Sequence, residues 1–336
     1  MRLPSGKVPP EVLEKIVFRG LGVHSEDVIL GPALGEDGAA FKVGDEIVIS
    51  SMDPITGAIE RIGWLAVNIN ANDIATFGVK PKFFSSCILL PETETASDDL
   101  EKICNQMDLA ARRLEISIIG GHSEVTPGIE HSIVIGCALG IAKEGRYVTS
   151  GGAEAGDHLI LTKGAGIEGT AILASEKKEK LMKKFGNKLV ESAEKFYEMI
   201  SVVDDALTAF NVGGVTAMHD PTEGGVAGGI HEIADASNLG VKIFEDKIHI
   251  AEETYKICSF FRIDPLQLIG SGALLIAVKP QYSNAVVDAL HNKGIEASII
   301  GQFLEEKEKR LMIKCDGETI ELVRPVSDHL WKALKV

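Results

Sequence analysis

The sequence has few cysteines, no long apolar run and no secretory leader. Its five cysteines are an odd number and widely spaced, without the CxxC pair that many zinc and redox sites use. The longest nearly uninterrupted apolar run, Ile133 to Ala142, contains two glycines and is shorter than the roughly 20 residues of a membrane-crossing helix. The first residues, MRLPSGKVPPEV, lack the apolar core and cleavage site of a signal peptide. These absences predict a cytoplasmic protein with no membrane partner.

Basic residues are in deficit as well. The chain has 34 lysines and arginines against 49 aspartates and glutamates, which gives a formal net charge of −15. Nucleic-acid binding depends on basic surface and on the release of counterions, so we expect no nucleic-acid partner. A small anionic ligand can still bind an acidic protein through metal ions and backbone amides. The length of 336 residues exceeds what one hydrophobic core usually serves and therefore predicts two domains.

The signatures of several enzyme classes are missing. There is no GxSxG elbow of a serine hydrolase, no HExxH helix of a zinc protease and no complete GxxxxGK[ST] P-loop. The short glycine pattern from Lys163 to Gly166 follows a predicted strand, but we do not interpret it as a dinucleotide site. Hydrolase, zinc protease and dehydrogenase functions therefore lack support.

Hydrophobic periodicity predicts helices and strands in both halves of the chain. The main predicted helices are Glu11 to Leu21, Arg61 to Phe77, Ala96 to Leu114, Ile167 to Ser175, Gly224 to Ser237, Glu252 to Phe261 and Gln281 to Asn292. The main predicted strands are Glu46 to Ser51, Lys82 to Leu90, Ile116 to Ile119, Ser132 to Ile141, His158 to Thr162, Val215 to Met218, Val241 to Phe244, Ala273 to Val278 and Ser298 to Gly301. Such a mixture predicts an α+β (mixed α/β) fold. A turn cluster at 149–157 predicts domains 1–150 and 151–336.

Four segments place an acidic residue where a strand or helix meets a polar or glycine-rich turn. They are GEDGAA, SMDP, NANDI and HDPTEGG, and their acids are Asp37, Asp53, Asp73 and Asp220. Each acid alone has a structural explanation, as a turn residue, a strand end, a polar helix residue or a helix N-cap. Together they suggest another role, because Asp73 ends an otherwise apolar helix face, where an unpaired carboxylate costs several kcal/mol. Carboxylates gathered at one place would need a hard divalent cation, so this pattern predicts Mg²⁺ and, with it, ATP.

Three glycine-containing segments remain open between a structural and a functional interpretation. Gly120-Gly121-His122-Ser123-Glu124 follows a predicted buried strand and is either a tight turn or a ligand contact, through His122 or Glu124. Gly6-Lys7 is either part of a disordered tail or a phosphate contact. Gly270-Ser271-Gly272 is either a turn or a ligand-side loop.

The order and spacing of seven motifs resemble those of the aminoimidazole ribonucleotide (AIR) synthetase, or PurM-like, superfamily, and are most similar to hydrogenase maturation factors of the HypE type. The motifs are GEDGAA, SMDP, NANDIATFGVKP, GGHSEVTP, GDHLILTKG, HDPTEGGVAGGIHEIA and IGSGALLIA. The resemblance covers about Leu3 to Leu322. It implies two α/β domains, of which the N-terminal one pairs with its twin through a shared β-barrel, with ATP bound at the dimer interface.

The resemblance also implies roles for individual residues. Asp37, Asp53, Asp73 and Asp220 correspond to the magnesium and phosphate-site acids, and we predict catalytic roles for Asp53, Lys7 and Asp220. Gly6, Asn70, Gly120, Gly121, His122 and Thr222 correspond to residues around the nucleotide. The implied chemistry is phosphorylation or activation of an amide or carbonyl oxygen by ATP.

The sequence departs from HypE-type proteins at two places. HypE acts on a carbamoylated cysteine at its own C-terminus, whereas this sequence ends in SDHLWKALKV. His122 stands where HypE-type proteins have an aspartate. We therefore expect a homodimeric, HypE-like enzyme with a separate small-molecule substrate. The alternative is a nucleotide-binding assembly protein that acts in metalloenzyme or hydrogenase maturation without turning over a free substrate.

Overall fold

Two mixed β-sheets with helices packed against them form the fold, which confirms the α+β prediction. The computed structural model describes residues 3, 6–56 and 60–335. Within this part of the chain, the helices are α1 (Pro10–Ile16), α2 (Ile62–Thr76), α3 (Ala96–Leu114), α4 (Ile167–Glu176), α5 (Lys178–Phe185), α6 (Asn187–Glu194), α7 (Val203–Val212), α8 (Gly225–Ala236), α9 (Glu252–Phe261), α10 (Pro280–Asn292) and α11 (His329–Leu334). No described helix combines the length and the apolar character needed to cross a membrane.

The first sheet has six strands in the order β1-β2-β3-β6-β4-β5. Their bounds are β1 (Val28–Leu30), β2 (Ala39–Val43), β3 (Glu46–Ile55), β4 (Pro81–Leu90), β5 (Ser117–Val125) and β6 (Ile133–Lys143). All neighbours run antiparallel except β4 and β5, which are parallel. Helices α2 and α3 pack in the same half of the chain, with α2 against β3 and β6.

The second sheet has seven strands in the order β13-β12-β9-β11-β7-β10-β8. Their bounds are β7 (His158–Thr162), β8 (Val215–His219), β9 (Gly240–Phe244), β10 (Leu275–Val278), β11 (Ala297–Leu304), β12 (Arg310–Ile313) and β13 (Thr319–Glu321). Strand β10 is buried along its whole length, as expected for a central strand between layers. The first sheet ends at Lys143 and the second begins at His158, on either side of the predicted domain boundary.

Helix α2 is buried at every position, although the sequence predicts a helix with only one apolar face. It lies between the first sheet and elements of the second half, including α7 and β8. Its asparagines are tolerated there because each is hydrogen bonded: Asn68 donates to the Trp64 carbonyl at 2.8 Å. Asn72 joins the two halves, because its Nδ2 donates to Ile200 O at 2.9 Å and its Oδ1 accepts from Val202 N at 2.8 Å. The helix therefore connects the two sheets.

Several local predictions are wrong. The N-terminal helix ends at Ile16 and continues only as a 3₁₀ turn, Val17–Arg19, instead of reaching Leu21. The predicted short buried strand Ile116 to Ile119 is β5, which runs on to Val125 and is exposed along its whole length because it forms the edge of the sheet. The lysine-rich segment after Glu176, for which no helix is predicted above, forms α5, in which only Leu181 is buried.

We predict that Asn72→Ala destabilises the protein by about 2–4 kcal/mol, because it leaves the buried Ile200 carbonyl and Val202 amide without partners. Urea unfolding measures this loss. The exposed Asn105 on α3 is the matched control, and Asn105→Ala should change the free energy of unfolding by less than about 0.5 kcal/mol. Equal effects of the two changes would contradict the bridging role of Asn72.

Candidate active site

The four predicted acids come together between the two sheets. Asp37 precedes β2, Asp53 lies near the end of β3, Asp73 lies within α2, and Asp220 directly follows β8. Asp37, Asp53 and Asp220 all act on the charge state of Asp73. Residues separated by more than 180 positions in the sequence therefore share one electrostatic site.

Asp220 is the most unusual of these acids. It is only 1% exposed, and neither of its carboxylate oxygens has a hydrogen-bond partner among the described residues. Burial and the neighbouring Asp37 raise its pKa well above the ordinary value. A buried carboxylate without a partner is costly, so this position favours a bound proton or a cation.

Asp73 and Asp53 are held by neighbouring polar groups. The Ser51 hydroxyl donates to Asp73 Oδ2 at 2.5 Å, and burial together with Asp53 raises the Asp73 pKa well above its usual range. Burial also raises the pKa of Asp53, which Lys7 opposes and Asp37 reinforces. Asn70 fixes the backbone of Asp53 through its side-chain amide, accepting from Asp53 N at 2.8 Å and donating to Asp53 O at 3.2 Å.

Asn70 therefore has a positioning function in this chain. It is fully buried, and its Nδ2 also donates to Ala66 O at 2.9 Å. Both the oxygen and the nitrogen of the Asn70 amide are therefore hydrogen bonded to the protein backbone, and Asn70 supports the segment that carries Asp53. The predicted contact of Asn70 with a nucleotide stays a prediction.

His219 connects Asp37 to a further acid, Glu232, which the sequence analysis did not assign. Its Nδ1 lies 2.7 Å from Asp37 Oδ1 and its Nε2 lies 3.0 Å from Glu232 Oε2. Burial alone would lower the pKa of His219, but the two carboxylates raise it to about 10. The Ser150 hydroxyl also donates to Asp37, at 3.1 Å. Asp37 is therefore neutralised in part by the protein itself.

Lys7 is a cation at the edge of the acidic site. Its backbone N–H donates to Glu223 Oε2 at 2.8 Å, and its Nζ lies 3.5 Å from Glu232 Oε1. Burial alone would lower the pKa of Lys7, but Glu232 and Asp53 raise it above its ordinary value. Gly6 permits this arrangement because its φ is +103° and a Cβ atom there would lie 2.8 Å from Glu223 Oε2.

A cavity of about 640 Å³ opens beside Asp53 and Lys7. It lies between the two halves of the chain, and Thr222 is among its lining residues. Three further lining residues are Glu168, Ser271 and Trp331, whose Oε2, Oγ and Nε1 atoms are buried without a hydrogen-bond partner in the described part of the chain. Neither Glu168 nor Trp331 is predicted from the sequence, and Ser271 belongs to the loop for which a turn and a ligand contact both remained open.

Gly120, Gly121 and His122 lie away from this cluster within one chain. They are on β5, which is separated from β3 by β6 and β4, a distance of about 14 Å at normal strand spacing. His122 is exposed and its Nε2 lies 3.1 Å from Glu124 Oε2. Gly121 is needed for packing, because a Cβ atom there would lie 2.1 Å from Ser86 O on β4. A single chain therefore does not bring these three residues to the acidic site.

The acidic site offers carboxylates, but few of them converge on one point. Among residues 3, 6–56 and 60–335, no group of three or more His, Cys, Asp or Glu side chains is arranged to hold a metal ion. The orphaned carboxylate of Asp220, close to Asp53, nevertheless fits a cation. Mg²⁺ in nucleotide sites commonly takes one or two protein carboxylates and completes its shell with phosphate oxygens and water. The residues present fit that kind of site.

Comparison with known proteins places the whole chain among relatives. Residues 35–142 match the N-terminal domain of AIR synthase related proteins, and residues 154–314 match the C-terminal domain. A hydrogenase expression/formation protein of Methanocaldococcus jannaschii is 30% identical over 333 residues, which cover 97% of this chain and 96% of that protein. Carbamoyl dehydratase HypE of Rhizobium leguminosarum bv. viciae is 31% identical over 281 residues, 81% of this chain and 78% of that protein.

A solved structure has the same fold. HypE in complex with ATP superposes with a TM-score of 0.72 and is 21% identical, covering 98% of each chain. The fold of this chain is therefore the two-domain PurM-like fold.

We predict that Glu168→Gln changes the pH dependence of stability. Burial raises the pKa of Glu168 from 4.5 to about 7. The neutral carboxyl group therefore contributes stability that is complete below pH 4.5 and is lost as the pH rises through 7. A glutamine cannot ionise, so the stability of the variant relative to the parent should increase by about 3 kcal/mol between pH 4 and pH 8.

Urea unfolding at several pH values tests this prediction. Glu191→Gln, at an exposed position of α6, is the matched control. A Glu168→Gln variant whose stability runs parallel to that of the parent chain across this range would refute the assignment of a neutral, buried Glu168.

Proposed function

This chain belongs to the AIR synthase-related family of ATP-dependent enzymes, and we propose that it uses ATP and Mg²⁺ to activate the oxygen of an amide or carbonyl group on a small molecule. One observation carries the proposal. Within the described part of the chain, Asp220 is a buried carboxylate without a hydrogen-bond partner, next to Asp53 and Lys7 and beside a cavity that can hold a substrate. Such a site needs positive charge and offers space for a reaction partner.

Asp53 and Asp220 are the residues that would hold Mg²⁺. Asp37 and Asp73 would support them, since Asp37 is paired with His219 and Asp73 accepts from Ser51. When bound, the metal would neutralise charge on the triphosphate. Lys7 adds a cationic side chain in the wall of the same cavity as Asp53, which suits contact with phosphate oxygens.

The chemistry follows from the nature of the acceptor. An amide oxygen attacks the γ-phosphorus of ATP, the bond from that phosphorus to the bridging oxygen of ADP breaks, and the amide becomes an O-phosphorylated imidate. Loss of inorganic phosphate and a proton from a primary amide then leaves a nitrile, so that the overall products are nitrile, ADP, phosphate and a proton. The name carbamoyl dehydratase of the HypE relative supports this reaction type, because a carbamoyl group is an amide.

We also propose that the protein is a homodimer that pairs through the first sheet. The edge strand β5 is exposed along its length, and Ile118, Ile119 and Val125 are 43%, 58% and 53% exposed. An unpaired edge with exposed apolar residues is unfavourable in a lone chain. Pairing would also bring Gly120, Gly121 and His122 of one subunit towards the acidic site of the other, which one chain cannot do.

We predict that Asp53→Asn lowers ATP-dependent turnover by about 100-fold or more, because it removes a charge that positions the metal and the phosphates. ADP release with Mg²⁺ and a panel of amides measures turnover. Asp45→Asn, in the exposed turn between β2 and β3 of the same hairpin, is the matched control and should retain parental activity. EDTA should abolish turnover, and added Mg²⁺ should restore it.

Two results would count against this function. One is turnover that survives both Asp53→Asn and EDTA. The other is nucleotide binding without ADP release for every amide tested, which would instead favour the assembly role.

We predict that Ile119→Lys converts the dimer into a monomer, because it places a charge in the apolar edge strand. Light scattering after gel filtration measures the mass. Val23→Lys changes a residue that is 95% exposed outside the strands and should leave the dimer intact. A parent chain that elutes as a monomer at all concentrations would contradict the pairing.

A further inference from the structure

A second cavity, of about 480 Å³, opens where the end of α2 meets β4, β6 and α7. The first half of the chain contributes residues 78–80, 141–143 and 146 to its wall, and the second half contributes residues 210 and 211. None of these residues lines the cavity beside Asp53. The second cavity is therefore a separate feature of the fold, and a ligand in it would contact both halves of the chain.

Positive charge distinguishes this cavity from the rest of the chain. Three of its nine lining residues are cationic, namely Lys80, Lys143 and Arg146, and none of the nine is acidic. The chain as a whole carries 49 aspartates and glutamates against 34 lysines and arginines, so the composition would favour the opposite sign. A concave wall lined by charges of one sign concentrates ligands of the other sign, and this cavity therefore suits an anion.

Two of the three cations have no partner within the described part of the chain. The side chains of Lys143 and Arg146 are exposed and form no hydrogen bond or ion pair there, although Glu46 faces Lys143 across the strand pair β3–β6. Lys80 pairs with Glu115 at the end of α3, but both side chains are exposed, and an exposed ion pair contributes little. One unpaired surface cation is ordinary, whereas cations that share one cavity can act together on a ligand.

The backbone holds the three cations close together. Lys143 and Arg146 are the first and fourth residues of a tight turn, in which Arg146 N donates to Lys143 O at 3.0 Å. Their α-carbons therefore lie within about 7 Å of each other. Lys80 directly precedes β4, whose first residue Pro81 pairs with Gly140 on β6. The three side chains thus start from neighbouring points at one end of the first sheet.

Phe210 supplies a flat apolar surface from the second half of the chain. Its half-buried ring packs on Gly78, where an added Cβ atom would lie 2.5 Å from the ring Cγ. Gly78 also has a φ of +72°, which favours glycine. The ring lines the cavity beside the exposed amide of Asn211, which can donate or accept a hydrogen bond. An aromatic ring in this position suits stacking with a second flat ring.

We propose that this cavity binds a phosphate monoester with a flat, unsaturated body. The phosphate faces Lys143 and Arg146, and the body packs against Phe210. A phosphate dianion accepts hydrogen bonds from several donors at once and matches the planar fork of a guanidinium group, whereas a carboxylate brings only one charge. The proposal does not depend on the use of ATP, because the two cavities share no lining residue.

Binding of phenyl phosphate to the full chain tests this site, with inorganic phosphate and the neutral benzyl alcohol for comparison. Calorimetry or ³¹P NMR measures the affinity in EDTA, where a phosphate at the other cavity would meet the carboxylates of the acidic site. A second series with Mg²⁺ and the non-hydrolysable nucleotide AMPPCP fills that site. In both series phenyl phosphate should bind at least about threefold more tightly than inorganic phosphate, and at least about tenfold more tightly than benzyl alcohol. It should also raise the Tm of the chain, since a bound ligand stabilises the folded state.

Three variants report on the parts of this site. Lys143→Gln and Arg146→Gln should each weaken phenyl phosphate binding by about three- to tenfold, because each removes one charge-assisted hydrogen bond. Both residues are exposed, so folding should be retained. Phe210→Leu keeps an apolar side chain without the ring and should lower the affinity for phenyl phosphate to that for inorganic phosphate.

Lys188→Gln is the matched control. Lys188 lies at an exposed position of α6, outside both cavities, and forms no ion pair in the described part of the chain. The change removes the same charge, and this variant should bind phenyl phosphate as the parent chain does.

The outcomes distinguish this site from the acidic one. Unchanged affinity in both Lys143→Gln and Arg146→Gln overturns the proposal, as does equal binding of phenyl phosphate and inorganic phosphate by the parent chain. Binding that is lost in Lys7→Gln, or on addition of Mg²⁺ and AMPPCP, places the phosphate at the acidic site and also overturns it. Binding that depends on Lys143 and Arg146 in a chain that takes up no nucleotide supports this site and counts against the proposed function alone.

Discussion

The fold depends on burying several carboxylates where its two sheets meet. An ionised carboxylate without a partner costs several kcal/mol when it is buried, so each of these acids needs a cation or a hydrogen-bond donor beside it. His219 lies between Asp37 and Glu232 as their partner, and the Ser51 hydroxyl donates a hydrogen bond to Asp73. Asp220 has no such partner among residues 3, 6–56 and 60–335. The protein thus pairs Asp37, Glu232 and Asp73 internally and leaves Asp53 and Asp220 for a cation, which is the arrangement expected of a site that binds metal and phosphate together.

Helix α2 shows how the same requirement determines local structure. A helix buried on every side would normally be uniformly apolar, yet α2 carries three asparagines and an aspartate. Asn70 fixes the Asp53 segment and Asn72 fastens the helix to the second half of the chain. Their amides supply both donor and acceptor groups where a backbone segment would otherwise be unpaired. The polar residues in this helix therefore place the acidic site, and the apolar residues between them hold the sheets together.

The α+β class and the bounds of α3 and β7 could be predicted from the sequence, because hydrophobic periodicity is a local pattern. The four acids could be singled out for a similar reason, since each lies in a short polar or glycine-rich motif. The exposure of β5 could not be predicted, since it depends on which strand occupies the sheet edge. Trp331 lies in the cavity wall because of the way α11 packs, and this packing likewise depends on residues that are distant in the sequence. Glu168 did leave a signal, as one charged residue in the apolar stretch IEGTAILA. The glycine pattern around it, Gly164 to Gly169, spells GxGxxG. Strand β7 is antiparallel to both of its neighbours, however, unlike the strands of a dinucleotide-binding βαβ unit.

Buried polar groups in this chain differ in how many hydrogen-bond or ion-pair partners the protein itself gives them. Lys163 is almost fully buried, and the fold gives it Asp205 at 3.1 Å and the carbonyls of Ser201 and Met199 at 2.7 and 3.2 Å. The chain thus surrounds this buried ammonium group with one carboxylate and two backbone carbonyls. Glu168, Ser271 and Trp331 are left unsatisfied around one cavity, and Asp220 is left unsatisfied two residues before Thr222 in its wall. Five of the eight unsatisfied buried side-chain atoms in the described residues belong to these four residues, the other three being on Asp205, His219 and Arg310, so a ligand that supplies partners at this cavity would account for most of them.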